Sequence, residues 1–459
     1  MKKTYFLIVL VLLLAGCGRK AVITDFNIVP EPVFMVQKEG VFTLHGSPKV
    51  SMVNLGQNSP IAKYIMKSMR HGHLHPSLVS AAEKSDIEIV VNDTANPEIG
   101  DEGYVLEVRS DGIRLSANTE HGVFYAYQTL VQLLPPDITQ TNYSSITLPE
   151  CTILDYPRFA WRGAHLDVCR HFFPAKFVKK YIDVMANYKL NKLHFHLTDD
   201  HGWRLPSERY PKLNSVGSWR VDRDDQPWGQ ATPPQPDEKA TYGGFYTREE
   251  IADLVDYAAA RGIEIIPEIE IPGHCCAILA AYPKLSCDGG PYEVQIGPYW
   301  PPKAILCAGN DSTLVFLKAV LDEVVEMFPS QYIHIGGDEA VKDMWKGCLF
   351  CQRRIRAEKN GASAAVLVRR SENLRAYAGS RELSVPQVQR GADGAIADRR
   401  DGARRRLRRA VKPDQPRLLV GGCPQRAVGG FDLRDGALRA ACRVDPQRRS
   451  ALPGGKTAQ

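Results

Sequence analysis

Two adjacent acids after an apolar strand form the strongest candidate site in the sequence. The segment His334-Ile335-Gly336-Gly337-Asp338-Glu339 runs from a predicted strand through two glycines to the two carboxylates. In a barrel of parallel strands, the carboxyl ends of the strands carry the active site. Neighbouring carboxylates can also divide acid–base work, one protonated and the other ionised. A bare Asp-Glu is equally typical of a solvated turn or a helix start, but the preceding strand and glycines favour catalysis.

Two further polar clusters follow predicted strands. One is the segment 194–204, His-Phe-His-Leu-Thr-Asp-Asp-His-Gly-Trp-Arg, and the other runs from Pro267 to His274. Strand alternation puts His194 and His196 on one face, where such a pair can ligate a metal ion. A metal-dependent hydrolase is therefore an alternative interpretation. It requires further ligands on later strands, and only His274 and His334 are later histidines at strand ends. The segment that ends at His274 is otherwise a proline-punctuated loop with a surface histidine.

The elements that position these clusters alternate between strands and helices over residues 156–358. Strands are predicted near 161–168, 192–197, 263–269 and 332–335. The helices between them begin at Pro174, at a capping box of Thr247 and Glu250, and before Leu314. Four such βα units predict an α/β fold with a parallel sheet. Residues 22–155 instead predict a small α+β domain, with a hairpin over 104–117 and a helix that ends before Pro135.

The first residues predict export. Lys2 and Lys3 precede an apolar run over residues 5–14, which ends in Leu-Ala-Gly-Cys at Cys17. The run is too short to span a bilayer, and the small residues before a cysteine are typical of a bacterial lipoprotein signal over residues 1–17. Cys17 would become the lipidated N-terminus, anchoring the chain in the periplasm or outer membrane through lipid alone. A plain secretory signal is the alternative, and it also exports the protein.

Export places the remaining cysteines in an oxidising compartment, where disulfides persist. Cys287 and Cys307 bracket a loop rich in Gly, Pro and Tyr and are candidate disulfide partners. Cys348 and Cys351 form a C-x-x-C that lacks a second pair at the usual zinc spacing. Structural roles are therefore expected for all of these cysteines.

The net charge of +6 is distributed unevenly along the chain. Residues 1–360 contain 37 Lys and Arg against 43 Asp and Glu, a balance of −6, whereas the last 99 residues contain 21 against 9, a balance of +12. The tail over residues 359–459 has 19 Arg, with Tyr377 and Phe431 as its only aromatic residues. Because no aromatic residues interleave with the arginines, a nucleic-acid partner is not expected.

The composition of the tail predicts disorder, since it offers little apolar surface to offset the entropy of ordering. An abrupt change of this kind would also arise from an out-of-frame reading of a GC-rich gene. A basic interaction tail is a third possibility.

Four motifs occur in an order and at spacings that resemble the β-N-acetylhexosaminidases, family 20 of the glycoside hydrolases. They are Arg162-Gly163 with 166–171, the segment 196–204, Pro267-Glu268 with Pro272-Gly273-His274, and His334 to Glu339. The resemblance covers residues 22–358 and implies a TIM (β/α)8-type barrel after a small α+β domain. Only half of such a barrel is readable here, so an incomplete barrel is expected.

The resemblance also implies a role for each of five residues. Glu339 would be the general acid, and Asp338 would hold the 2-acetamido group of the substrate, whose carbonyl oxygen attacks the anomeric carbon. Arg170 would bind sugar hydroxyls, Asp199 would pair with that arginine, and His274 would line the pocket. No step requires a cofactor or a metal ion.

The implied activity is that of a retaining exo-glycosidase. It would remove terminal β-linked N-acetylglucosamine or N-acetylgalactosamine from glycans or chitin fragments. Beyond Glu358 the sequence departs from the family, because the tryptophans that wall the pocket and the tyrosine that bonds the acetamido group are missing; the last Trp is Trp345. An inactive lipoprotein with at most weak sugar binding is therefore the second interpretation.

Overall fold

A computed structural model describes residues 19–235, 237–297 and 303–359, together with the backbone of residues 375–377. The predicted signal segment with Cys17 and the rest of the tail beyond residue 359 lie outside the described residues, so the expectations for them stay predictions. Among the described helices, none combines the length and apolar character that crossing a bilayer requires.

The first part of the chain forms an eight-stranded mixed sheet backed by two helices. The hairpin predicted over 104–117 is confirmed, with Tyr104 opposite Ala117. The predicted helix that follows is also present; Val123, Tyr127 and Leu130 of its apolar stripe are buried, and Val131 and Leu134 are half-buried. The strands are β1 (Arg19–Val22), β2 (Phe34–His45), β3 (Lys49–Val53), β4 (Ser77–Val79), β5 (Ile87–Val91), β6 (Tyr104–Arg109), β7 (Gly112–Ala117) and β8 (Tyr143–Asp155), and the helices are α1 (Pro60–His71) and α2 (Glu120–Leu133).

The second part alternates strands and helices, as the sequence predicts. In chain order it contains β9 (Gly163–Asp167), α3 (Ala175–Asn187), β10 (Lys192–His196), β11 (Thr198–Asp199), β12 (Gly202–Trp203), α4 (Lys212–Ser215), β13 (Trp219–Arg220), β14 (Tyr242–Gly243), α5 (Arg248–Ala259), β15 (Glu264–Glu268), α6 (Cys276–Ala281), α7 (Asp311–Met327), β16 (Tyr332–His334), α8 (Asp343–Gly347), α9 (Leu349–Lys359) and β17 (Arg375–Tyr377). Two short 3-10 turns lie at Trp228–Gln230 and Pro283–Leu285.

Five of these strands form one parallel sheet in the order β17-β16-β15-β10-β9. Helices α3, α5 and α7 connect them, which confirms the predicted α/β class. A complete (β/α)8 barrel has eight strands, so the described residues form an open, partial barrel. Strand β17 lies beyond residue 358, where the sequence offered no recognisable strand.

Local sequence signals explain where the connecting helices begin. Pro174 is the N-cap of α3, and the predicted capping box of α5 is complete, with Thr247 and Glu250 bonding each other's backbone N–H groups. Asn310 caps α7 by accepting a hydrogen bond from Ser312 N. Each helix buries one apolar face, for example Ile182 of α3, and these faces cover the sheet.

The long excursion between β10 and α5 is held together by a fully buried arginine. Arg204 donates to the carbonyl oxygens of Val168, Cys169, Ser218 and Gly244 at 2.6–2.9 Å. A buried cation of this kind is tolerated because its donors are used. Arg204 therefore has a structural role: it fixes the chain that follows β9 against the excursion.

Two partly buried charge clusters join the two parts of the chain. Arg162 donates to both oxygens of Glu102, at 2.8 and 3.1 Å. Lys189 Nζ lies 3.0 Å from Asp155 Oδ2 and 2.8 Å from the hydroxyl of Tyr104. The barrel supplies the cation of each cluster, and the first sheet supplies its carboxylate.

The cysteines differ from the sequence-based expectation. The eight described cysteines are all free thiols, so the expected pairing of Cys287 with Cys307 is not present. Cys287, Cys307, Cys348 and Cys351 instead converge in one cluster. The C-x-x-C has no second pair at the usual zinc spacing in the sequence, but two cysteines distant in the chain lie beside it. The loops after α6 and before α7 bring the other two sulfurs to it, which spacing along the chain does not reveal.

Candidate active site at the carboxyl ends of the parallel strands

Strand register brings four polar side chains into one row. In the pairing of β9, β10, β15 and β16, His196 lies opposite both Asp167 and Glu268, and Glu268 lies opposite His334. All four residues end their strands, so the loops that follow them begin at the same edge of the sheet. The motifs that the sequence identified separately therefore meet at one place.

The predicted pairing of Arg170 with Asp199 is present. Arg170 Nη2 lies 2.9 Å from Asp199 Oδ2, and Arg170 Nη1 lies 2.9 Å from Asp167 Oδ2. Burial would raise the pKa of Asp199, but hydrogen bonds from His196 and His201 and the charge of Arg170 hold that pKa well below its usual range. The guanidinium is held between two carboxylates, while the Arg170 side chain remains 32% exposed.

Glu268 is the centre of a histidine network behind this pair. It accepts hydrogen bonds from His194 Nε2 at 2.6 Å, from His334 Nδ1 at 2.7 Å and from His196 Nδ1. Burial would raise the pKa of Glu268, but these three bonds keep it far below the usual range. Burial would lower the pKa of His196, yet its bonds to Asp199 and Glu268 raise it to about 10. His196 is therefore an imidazolium at neutral pH.

The histidine network argues against the interpretation as a metal-dependent hydrolase. His194 and His196 do lie on one face, as alternation predicts, and with His165 and Glu268 they form a group whose possible ligand atoms lie within 4.8 Å of one another. However, His196 uses both ring nitrogens, for Glu268 and for Asp199 Oδ2 at 2.8 Å. A metal ion would have to displace one of these bonds, so the geometry favours a hydrogen-bonded scaffold.

His274 connects the Asp199 region to the predicted acid. Its Nδ1 lies 3.0 Å from Asp200 Oδ2 and 3.7 Å from Asp199 Oδ1, and its Nε2 lies 3.4 Å from Glu339 Oε2. Burial would lower the pKa of His274, but the hydrogen bond to Asp200 and the surrounding carboxylates raise it to about 9. The predicted site residues Arg170, Asp199, His274 and Glu339 thus form a continuous series of contacts.

The loop that carries Asp338 and Glu339 approaches the β15 loop closely. Gly336 has a φ of +61°, and a Cβ there would lie 1.8 Å from Glu270 Oε2. Gly337 N donates to Glu270 Oε1 at 2.8 Å. Both acids lie on the surface, the Glu339 side chain being 62% exposed. His274 and Glu339 also have left-handed φ angles of +44° and +46°, conformations that non-glycine residues adopt at a cost and that often mark functional sites.

Glu270 is a site residue that the sequence did not identify. It is buried under the Asp338 loop, and burial together with the charges of Asp338 and Glu268 raises its pKa to about 9, although a hydrogen bond from Gly337 opposes this. Glu270 is therefore a neutral acid at pH 7. The alternation of Glu268 and Glu270 after a buried strand was the available signal, but only the fold shows that their environments are opposite.

An aromatic side chain also borders the site. Trp228 has its ring centroid 4.8 Å from that of His201 and 5.5 Å from that of His171, and it is 37% exposed. His171 follows Arg170 directly. An exposed indole in contact with His171, next to Arg170 in the chain, suits a ligand that has both apolar faces and polar edges, as sugars have. Its position in an irregular excursion gave no periodic signal in the sequence.

Two family models match the chain. The model described as "Glycosyl hydrolase family 20, catalytic domain" matches residues 159–381, and that described as "Glycosyl hydrolase family 20, domain 2" matches residues 25–156. A beta-hexosaminidase of Porphyromonas gingivalis is 39% identical over 335 residues, which are 72% of this chain and 41% of that protein. A beta-hexosaminidase of Vibrio furnissii is 34% identical, over 72% of this chain and 52% of that protein.

Solved structures show the same similarity. A β-N-acetylhexosaminidase of Bacteroides fragilis superimposes with a TM-score of 0.59 at 34% identity, covering 72% of this chain and 60% of that one. The N-acetyl-β-hexosaminidase of Streptomyces plicatus, solved with Thio-NAglucal, gives 0.61 at 32% identity, covering 73% and 64%. The chain thus spans less than two thirds of the length of these relatives.

Proposed function

Since the chain belongs to glycosyl hydrolase family 20, we propose that it removes terminal non-reducing N-acetyl-D-hexosamine residues from N-acetyl-β-D-hexosaminides. The observation that carries this proposal is the series of contacts from Arg170 through Asp199 and His274 to Glu339. It joins a guanidinium suited to sugar hydroxyls to a carboxylate suited to proton donation, along one edge of the sheet.

Glu339 acts as the general acid in this proposal. Its exposed carboxyl can reach the glycosidic oxygen of a bound substrate, while His274 Nε2, 3.4 Å away, holds the carboxyl in place. Because Asp200 keeps His274 protonated, the imidazolium stabilises the Glu339 carboxylate that remains after the proton has been donated. Asp200 and His274 therefore position the acid.

Asp338 acts on the acetamido group of the substrate. Its carboxylate accepts the N–H of this group and turns the carbonyl oxygen toward the anomeric carbon, which that oxygen attacks in place of an enzyme nucleophile. The Glu339 carboxylate then takes a proton from water, and the water oxygen attacks the anomeric carbon from the face that the leaving group vacated and displaces the acetamido oxygen, so the anomeric configuration is retained. No metal ion or cofactor takes part in these steps.

Sugar recognition and bond cleavage take place at different ends of the site. Arg170, fixed by Asp167 and Asp199, presents its remaining donors to vicinal sugar hydroxyls. Trp228, whose ring contacts that of His171 next to Arg170, offers an apolar face. The substrates are accordingly glycans or chitin oligosaccharides that end in N-acetylhexosamine.

We also propose that the enzyme works as a lipoprotein, attached through Cys17 to the periplasmic face of a membrane or to the outer membrane. The support is the sequence alone: two lysines, a short apolar run and Leu-Ala-Gly-Cys. Incorporation of labelled palmitate that disappears in Cys17→Ala tests this part independently of activity.

Hydrolysis of two substrates that differ in leaving group tests the catalytic proposal. The chain without residues 1–17 is assayed on 4-nitrophenyl β-N-acetylglucosaminide and on N,N′-diacetylchitobiose. Glu339→Gln is expected to reduce turnover of the disaccharide by about 10²–10⁴-fold, the usual contribution of a general acid, and to affect the nitrophenyl substrate less. Asp338→Asn is expected to slow both. Glu326→Gln, an exposed acid on α7, is the matched control.

Three results would contradict the proposal. Equal turnover of 4-nitrophenyl β-glucoside would show that the acetamido group is not needed, and activity lost on chelation would favour the metal-dependent alternative. Absence of turnover in folded protein would support the inactive sugar-binding lipoprotein.

A further inference from the structure

Four cysteines from three separate segments meet behind the catalytic loops. Cys287 follows the 3-10 turn Pro283–Leu285, and Cys307 lies in the segment before α7. Cys348 directly precedes α9, and Cys351 lies in its first turn. The sulfur of Cys307 is 3.7 Å from that of Cys348 and 3.5 Å from that of Cys351, which is 3.8 Å from that of Cys287. All four sulfurs lie within 4.8 Å of one another.

These separations correspond to a tetrahedral metal site. A zinc ion bound by thiolates at about 2.3 Å places neighbouring sulfurs about 3.8 Å apart. A disulfide requires about 2.05 Å between two sulfurs, and it would join them in pairs instead of leaving each near several others. The sulfurs thus already occupy the corners that a single ion would need.

The surroundings of the cluster are built around the sulfurs. Cys307, Cys348 and Cys351 are buried and form an apolar cluster of their own with Trp345.

Close backbone packing holds the Cys307 segment against the start of α9. A Cβ at Gly309 would lie 2.1–2.3 Å from backbone atoms of Phe350 and Cys351. Only glycine permits the Cys307 segment to approach the start of α9 this closely, and this approach brings Cys307 to the C-x-x-C. The site is closed, because all four corners are protein sulfurs.

We propose that Cys287, Cys307, Cys348 and Cys351 bind one Zn²⁺ ion as a structural Cys₄ site. Four thiolates in tetrahedral arrangement select zinc over calcium, magnesium or manganese, which prefer oxygen ligands. Binding of Zn²⁺ by four thiols releases four protons and leaves a site of net charge −2, without oxidation or reduction. With no open position, the ion has a folding role and no catalytic one.

The zinc site would hold in place the two loops that carry His274 and Glu339. Leu306, next to Cys307, donates its N–H to Pro272 O at 3.0 Å, in the loop that leads to His274. Trp345 Nε1 donates to Leu306 O at 2.9 Å, and Trp345 lies between Glu339 and Cys348 in the chain. The ion would thus bind together the two loops that carry the acid and its histidine.

Export makes two disulfides the competing outcome, since oxidation of the four thiols would also crosslink the segments. Metal content and thiol state separate the two. The full chain is purified without chelator, its zinc and iron are measured by mass spectrometry, and its thiols are alkylated after denaturation with and without prior reduction. We expect about one zinc per chain and complete alkylation of the four cysteines without reduction.

Variants test the ligands. Cys287→Ser is expected to lower zinc content several-fold and Cys287→His to restore most of it, because imidazole also ligates zinc. Cys151→Ala, at a buried free cysteine in the first sheet, is the control and should keep its zinc. Cobalt-loaded wild-type protein should show the intense sulfur-to-cobalt absorption of a tetrahedral thiolate site, a result that does not depend on any variant folding.

Several results would overturn the proposal. They are alkylation of these cysteines only after reduction, iron in place of zinc, four reactive thiols without metal, and equal zinc content in wild type and Cys287→Ser. None of these measurements depends on glycosidase activity, so the zinc site can fail while the proposed function stands, and the reverse.

Discussion

Replacing Glu268 by glutamine removes the charge at the centre of the histidine network with almost no change in shape. A glutamine side chain has one acceptor oxygen and an NH₂ donor, so it cannot accept the three imidazole bonds that Glu268 accepts. His196 would keep its hydrogen bond to the Asp199 carboxylate but lose the one to Glu268. The variant therefore measures how much of the scaffold beneath the site depends on one buried carboxylate.

The loss of stability expected for Glu268→Gln can be worked out from the pKa of His196. Its rise from 6.5 to about 10 corresponds to about 5 kcal/mol in favour of the imidazolium at about 1.4 kcal/mol for each tenfold change. Asp199 and Glu268 share this stabilisation, so Glu268→Gln should lower the free energy of unfolding by about 2–3 kcal/mol. Removing one partner of a buried ion pair usually costs about 3–5 kcal/mol, because the other charge is left unpaired. The cost is smaller here, because His196 can lose its proton and so its unpaired charge.

The raised pKa of His196 also determines how the stability difference between wild type and Glu268→Gln changes with pH. The folded-state pKa of His196 lies above its unfolded value, so its stabilisation is fully present below pH 6.5 and is lost as pH rises toward about 10. The difference between wild type and Glu268→Gln should therefore be largest near about pH 6 and smaller near about pH 9.

Urea unfolding followed by tryptophan fluorescence at both pH values measures this difference. Glu264→Gln is the matched control, because Glu264 begins the same strand and pairs with Lys192 at a partly exposed position, where about 1 kcal/mol or less is expected. A loss below about 1 kcal/mol for Glu268→Gln at both pH values, or an equal loss at both, would refute the assigned role of Glu268.

Three further predictions concern neighbouring residues. Gly336→Ala should lower turnover at least about tenfold and destabilise the fold by about 1–3 kcal/mol, because the φ of +61° and the close contact with Glu270 both disfavour a Cβ at this position. Gly347→Ala, whose Cβ would have no neighbouring atom within 4 Å, is the control in the same activity assay and thermal melt. Glu270→Gln should be tolerated, and its stability relative to wild type should rise between about pH 5 and about pH 8 in thermal melts. The reason is that wild-type Glu270, whose pKa is raised to about 9, must stay protonated when folded. Arg170→Lys should raise KM for the nitrophenyl substrate by about 10–100-fold with an unchanged circular dichroism spectrum, because an ammonium cannot bond both flanking carboxylates and the sugar.

Local patterns predicted the elements that position the site. Helices α3 and α7, the capping box at Thr247 and the hairpin of β6 and β7 are confirmed, because each depends on residues near one another in the chain. The apolar stripes are confirmed in part: Phe177 of α3 and Val325 of α7 are exposed, and Phe316 and Val320, outside the predicted stripe, are buried. The proximity of the Asp338 loop to the His274 loop also followed from the sequence, since parallel strands end at a common edge.

The roles of Glu268 and Glu270 could not be predicted in the same way. The two residues are separated by one position and have the same chemistry, yet one is a carboxylate and the other a neutral acid. The difference arises from partners more than 60 positions away, His196 for the first and the Gly337 loop for the second. The cysteine cluster was missed for the same reason.

The charge clusters between the first sheet and the barrel limit how this chain can be recombined. Arg162 and Lys189 belong to the barrel, but Glu102 and Asp155, which neutralise them, belong to the first sheet. A hybrid that combined this barrel with a foreign first domain would inherit two poorly solvated cations without counter-ions, at a cost of several kcal/mol. The two domains are therefore expected to be inherited as a pair, and a change at one of these four positions is tolerated only with a matching change across the boundary.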